Sequence, residues 1–346
     1  MLTQLPFEIV DHIVGYLDFG DVRSIARVCS AFQLPAQLRL FKYIQTLPHY
    51  NAYPDTESIL SSPHLLQHSS RLVVRSYGSS QQSYVHSLWP RLPLMHRLTS
   101  MDMLLDPNDC SRALSALENL GSGREIALVV GRGLAPDLLI SDNPLPIHSL
   151  NLWVDASNHQ VATRLVQKCS QSLRTLTLFL EDNTTPPLPF LPHLNEFSVD
   201  TYLYETGDEL LVSFFPFLYQ HPTITRLALG YEFTLAVQPP PNLLPNLQSL
   251  EAGPTIIQRL IPGRPVNHIR AEYVSKIADL FPGDIMLRPL RQPFVSVTTF
   301  AIKTNVHLPN DLLINIIQAL PKLRKFTVDW PCYEVCTPVI VRQKVF

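Results

Sequence analysis

One short phrase recurs along most of this chain: Pro, an apolar residue, two variable residues, then apolar-x-apolar. Four copies are plain, at Pro192 to Val199, Pro222 to Leu229, Pro245 to Ala252 and Pro321 to Val328, and Leu173 to Leu178 repeats the core without the proline. Weaker copies lie at Pro93 to Leu98, Pro146 to Leu152 and Val297 to Ile302. The residues opening each apolar-x-apolar pair run Leu98, Leu150, Leu176, Phe197, Leu227, Leu250, Phe300 and Phe326. Most are about 25 residues apart; two gaps are about twice that, and Ile126 and Ile269 fill them, with Leu72 preceding Leu98. Such a period constrains the fold strongly, because each copy is one supersecondary unit that buries its apolar face only by stacking on its neighbours.

Apolar-x-apolar predicts a short strand with one face inward. Between the strands the spacing becomes helical: Val161, Leu165 and Cys169; Leu210, Leu211, Phe214 and Leu218; Leu312, Leu313, Ile316, Ile317 and Leu320. The fold class is therefore α/β, with parallel strands backed by helices. Proline makes up 31 of 346 residues, against ~5% in typical proteins, and marks helix ends before the strands. The pattern resembles the leucine-rich repeat, whose period is ~20 to 29 residues. It lacks that family's Asn/Cys ladder, which predicts irregular turns and variable curvature. The alternative is an ordinary α/β domain with evenly spaced strands. With the apolar positions inward, Asn151, Trp153, Thr177, Phe179, Ser198, Asp200, Thr327 and Asp329 face outward and are candidate contacts for a protein substrate. Trp153 and Phe179 are either binding anchors or packed under loops.

The first 44 residues follow a different, helical rhythm. Pro6 suits a first helical turn, with Glu8 on the favourable side of the dipole. Ile9, Ile13, Tyr16 and Leu17 share one stripe. Gly20 is expected to break the first helix and Asp21 to cap the next, in which Val22, Ile25, Ala26, Cys29 and Phe32 repeat the spacing until Leu34-Pro35 ends it. Leu38, Phe41 and Ile44 form a third short amphipathic piece. So small a unit gains stability by packing on something else.

Leu5-Pro6, Glu8-Ile9, Ile13, Leu17, Asp21-Val22, Val28-Cys29 and Phe32 resemble the F-box family over residues 3 to about 46. The resemblance implies docking on the Skp-type adaptor of a cullin–RING (SCF) ubiquitin ligase, through Leu5, Pro6, Ile9, Ile13, Leu17, Val28, Cys29 and Phe32 as facing or supporting residues. Ser30-Ala31-Phe32 departs from the family, where many members carry a basic residue and Trp-Arg. The layout, an F-box at 1–46, a transition at 47–70 and a repeat region at 71–346, resembles the large fungal sets of F-box proteins. It implies a non-catalytic substrate-recognition subunit, or alternatively an interaction scaffold with no role in ubiquitination.

A formal net charge of -2 with 16% charged residues and no basic run gives no attraction to nucleic acid or anionic membrane. No apolar run reaches the ~18 residues of a transmembrane span, and no secretory signal precedes the helices. Five cysteines, odd in number and mostly isolated, suit reduced thiols, so a cytoplasmic or nuclear location is expected. His64 and His68, at i and i+4, and Cys332 and Cys336 lack further ligands for a metal site. The glycines at 121, 123, 131 and 133 flank a strand and make no phosphate loop. No cofactor and no catalytic constellation is expected.

Overall fold

The computed structural model describes residues 5–46, 63–75, 88–104, 107–120, 126–131, 134, 143–201, 208–230, 233, 235, 238–271, 296–304, 310–329 and 339–341. Two compact units divide the chain: residues 1–152 with 164–172, and residues 153–163 with 173–346.

The first unit opens with helices α1 (Phe7–Tyr16), α2 (Phe19–Ile25) and α3 (Ser30–Phe41). Pro6 is the N-cap of α1, and its carbonyl accepts from the N–H groups of Ile9 and Val10. Asp18, not Asp21, caps α2: its Oδ1 accepts from the Asp21 N–H at 2.8 Å. Gly20 therefore lies inside α2, and α1 ends because Leu17 turns extended. The expected stop at Leu34-Pro35 is also displaced. The chain breaks at Ala26–Val28, and α3 runs through a buried Pro35, which forgoes one hydrogen bond onto the preceding turn. The helices close on Val10, Val14, Val22, Phe32, Ala36 and Leu40.

Ile44, expected on a helix, lies instead in strand β1 (Tyr43–Thr46), which pairs in parallel with β2 (Arg71–Arg75). The sheet thus begins within the residues expected to belong to the helical module. Strands β3 (Ser100–Leu104), β4 (Ile126–Val130) and β5 (Ile147–Val154) follow, each parallel to its predecessor. Their register aligns Ile44, Leu72, Met101, Leu128 and Leu150, all buried. Leu98 is not the opening residue of its strand; its N–H closes a turn onto the Met95 carbonyl, and Met101 takes the strand position.

In the second unit β6 (Thr175–Leu180), β7 (Glu196–Thr201), β8 (Arg226–Leu229), β9 (Ser249–Ala252), β10 (His268–Ala271), β11 (Thr299–Lys303) and β12 (Lys325–Asp329) pair in parallel in sequence order. Strand β13 (Val339–Val341) is antiparallel to β12. The register aligns Leu176, Phe197, Leu227, Leu250, Ile269, Phe300 and Phe326, again all buried. This mixed α/β arrangement, one strand per copy with crossovers between parallel neighbours, is solenoid-like.

The recurrent phrase has a backbone explanation. Leu194, Ile224, Leu247 and Leu323 each donate N–H to the carbonyl three residues back, closing a turn whose second residue is the proline. One carbonyl then accepts two N–H groups from the next copy: Arg174 from Asn195 and Glu196, Asn195 from Thr225 and Arg226, Thr225 from Gln248 and Ser249. Groups that a tight turn would leave orphaned are satisfied this way. The helix His159–Cys169 buries Val161, Leu165 and Cys169. The 208–220 segment is two helices, Asp208–Ser213 and Phe215–Gln220, and Phe214 and Phe217 bring their rings to 5.7 and 5.0 Å from Phe197.

Candidate protein-docking surfaces

A helix turns about 100° per residue, so Val10, Val14 and Leu17 of the α1 segment form one stripe and Ile9, Ile13 and Tyr16 another. The first stripe packs in the core. The second is left to solvent, with Ile9 48% and Tyr16 79% exposed, and Leu5, Phe7 and Ile13 exposed beside it. Val28, in the turn after α2, is 71% exposed. Large apolar side chains are thus gathered on one side of a small module.

The eight residues carried over from the family resemblance therefore sort into two groups. Leu5, Pro6, Ile9, Ile13 and Val28 are exposed. Leu17 and Cys29 are half-buried against the core, and Phe32 is 3% exposed within it. Phe32 shares its stripe of α3 with Ala36 and Leu40, so it holds the helices together and only supports the outer face. Phe7 was not singled out from the sequence; Tyr16 was read on the stripe with Ile9 and Ile13, where it lies, whereas Leu17, read on the same stripe, turns to the core.

The strands present a second surface. Along β6 and β7 buried residues alternate strictly with half-exposed ones, which places Thr177, Phe179, Ser198 and Asp200 on the open face. Trp153 stacks on Phe179, ring centroids 5.3 Å apart at 27°. The Asn158 Nδ2 donates to the Trp153 carbonyl at 3.3 Å, and the Asp155 carboxylate accepts from the N–H groups of Ser157 and Asn158 to start the next helix. Phe179 lies in register with Asp200, and Thr177 with Ser198. The Asp200 carboxylate leans over Gly230, where a Cβ would meet it. A side chain at 230 would therefore have to displace the Asp200 carboxylate.

Thr327 and Asp329 sit on β12, five strands from β7, or roughly 24 Å at ~4.8 Å per strand. They are not brought together with the aromatic pair. Asp329 instead accepts from Arg270 Nη2 at 3.3 Å, while Arg270 Nε lies 3.4 Å from Glu251 Oε1. Ala301 stands between Arg270 and Thr327 in register, small enough to let the guanidinium span β11. Arg270 and Glu251 were missed from sequence; both occupy outward positions beside aligned core residues. Asn151, in the first unit, is half-buried on β5.

His64 lies in the helix Pro63–Leu66 and His68 beyond its end, so the two do not form a helical i, i+4 pair. Among the described residues no cluster of three or more His, Cys, Asp or Glu side chains could hold a metal ion, and no helix is long and apolar enough to cross a membrane. Cys332, Cys336 and the glycines at 121, 123 and 133 lie outside the described residues. Burial pushes the Cys169 thiol far above its ordinary range.

The family model for the F-box domain matches residues 2–33, covering α1, α2 and the start of α3. No curated protein matches the chain. An F-box domain implies a role in binding the Skp-type adaptor of an SCF ubiquitin ligase, and proteins that carry one are generally non-catalytic.

Proposed function

We propose that this chain is a substrate-recognition subunit of an SCF-type cullin–RING ubiquitin ligase. Leu5, Pro6, Ile9, Ile13 and Val28 dock on the adaptor, and the strand region, an irregular leucine-rich-repeat-like solenoid, holds a protein target on its open face through Trp153, Phe179 and neighbouring polar positions. The role is positional: holding a target beside a ubiquitin-charged enzyme raises the effective concentration of the acceptor lysine. Cytoplasm or nucleus is the proposed place of action. The observation that carries the reading is the apolar stripe of Ile9, Ile13 and Tyr16 left exposed on a module matched as an F-box domain. Burying each such side chain contributes ~1.5–3 kcal/mol, enough together for a stable complex. Affinity capture of the full chain should recover adaptor and cullin, and both should be lost on deleting residues 1–46. Capture of adaptor without cullin would favour a scaffold outside ubiquitination.

A further inference from the structure

We propose that the first unit carries an anion site for a phosphate ester, in a cleft of about 330 Å³ where α1 and α3 meet the turns leading into β2 and β3. The lining brings together Arg39, Lys42, His68 and Arg97 with one carboxylate, Asp11. Among the described residues no carboxylate lies within ion-pairing distance of Arg39, Lys42 or Arg97. Three cations converge on one recess with a single acid beside them.

Two of these side chains also have unanswered donors. Arg39 is anchored by Nη2, which donates to the Leu17 carbonyl at 2.9 Å, while its Nε is buried without a hydrogen-bond partner. His68 Nδ1 is buried in the same condition. The Gln67 amide nitrogen lies 3.4 Å from His68 Nε2. Burial chiefly, then the charges of Arg97 and His64, holds His68 below its ordinary value, so the ring is neutral near pH 7. Buried donors without acceptors are costly and uncommon. Both nitrogens are closed off from solvent, so an anion in the cleft is held by the charges of Arg39, Lys42 and Arg97 that line it.

The fit favours a phosphate ester over a carboxylate. A dianion with three free oxygens can meet several convergent cations at once, through charge-assisted bonds stronger than neutral ones. The volume, at the lower end of the ~300–1,000 Å³ of small-molecule sites, leaves room for an organic group beyond the phosphate. Gly15 lines the recess beside the Arg39 guanidinium. At about 100° per residue, Asp11 and Gly15 face nearly opposite to Ile9, Ile13 and Tyr16. Occupancy therefore leaves the outer apolar stripe free, and the ligand clamps the helices to the first strands independently of adaptor docking.

The test is calorimetric titration of the full chain with inorganic phosphate and with pyrophosphate at fixed ionic strength, alongside thermal melts. One-to-one binding, tighter for pyrophosphate and accompanied by a raised melting temperature, is expected. Lys42→Gln and Arg97→Gln, both exposed positions, should each weaken it about tenfold, while Lys42→Arg retains it and Arg226→Gln in the second unit changes nothing. Absence of saturable binding to the wild type, or undiminished affinity in the double variant Lys42→Gln/Arg97→Gln, would overturn the site.

Discussion

Phe32 and Ile9 stand some twenty residues apart in the same small module and answer to different forces. Phe32 fills the centre of the three-helix core, so Phe32→Ala should cost ~3–5 kcal/mol and abolish adaptor binding together with the helical circular-dichroism signal of that module. Ile9 faces solvent. Ile9→Glu should leave the melting temperature unchanged and still abolish binding. Arg264 shows the same logic in the second unit, where a guanidinium only 5% exposed donates to the carbonyls of Leu243, Leu260, Pro262 and Pro240 at 2.7–3.1 Å. Lysine cannot reproduce that planar fork. Arg264→Lys should lower stability by about 2 kcal/mol, read as a shifted urea midpoint with unchanged slope.

His221 illustrates how a repeat binds its neighbour. Its Nε2 accepts from the Leu191 N–H at 2.8 Å and its Nδ1 donates to the Phe217 carbonyl at 2.6 Å, so one imidazole ties the end of a helix to the turn before β7. Only the neutral ring can do both. Burial lowers its pKa from an ordinary 6.5, against a smaller opposing effect of the Phe217 bond. The unfolded chain therefore binds a proton that the folded chain refuses. This contribution is complete above pH 6.5 and is lost as pH falls from there through the lower folded value. Melting temperatures should drop between pH 7 and pH 5, and His221→Gln should flatten that slope.

These elements also explain what the sequence could reveal. Strands at Leu72, Ile126 and Ile269 were legible because a period near 25 demanded them. Around Leu98 the turn position that other copies fill with proline is His96, and Pro93, three residues earlier, drew the phrase early, so the apolar turn residue Leu98 was read in place of the strand residue Met101. Ile44 was assigned to a helix because one apolar residue after an amphipathic run fits either period; its strand is specified by pairing with β2, far away in sequence. The cap at Asp18 and the passage of α3 through Pro35 were likewise settled by packing. At the candidate surfaces, the outward strand positions were legible from alternation, whereas the Arg270 bridge needed the register across three strands.

At the scale of the whole molecule, the account joins an F-box module that leaves apolar surface uncovered to parallel strands laid down in sequence order in each unit. Each strand answers mainly to its neighbours, so outward positions such as Trp153 and Phe179 can vary without disturbing the core. The proposal rests on a Skp-type adaptor docking on Leu5 and on Ile9 and Ile13 of α1. Titration of a purified adaptor into the full chain, wild type and Ile9→Glu/Ile13→Glu, tests it most directly. Saturable binding by the wild type, and at least a hundredfold loss (about 2.7 kcal/mol) in a variant with unchanged circular dichroism, is the predicted result. Equal affinity in both, or no binding by the folded wild type, would contradict it.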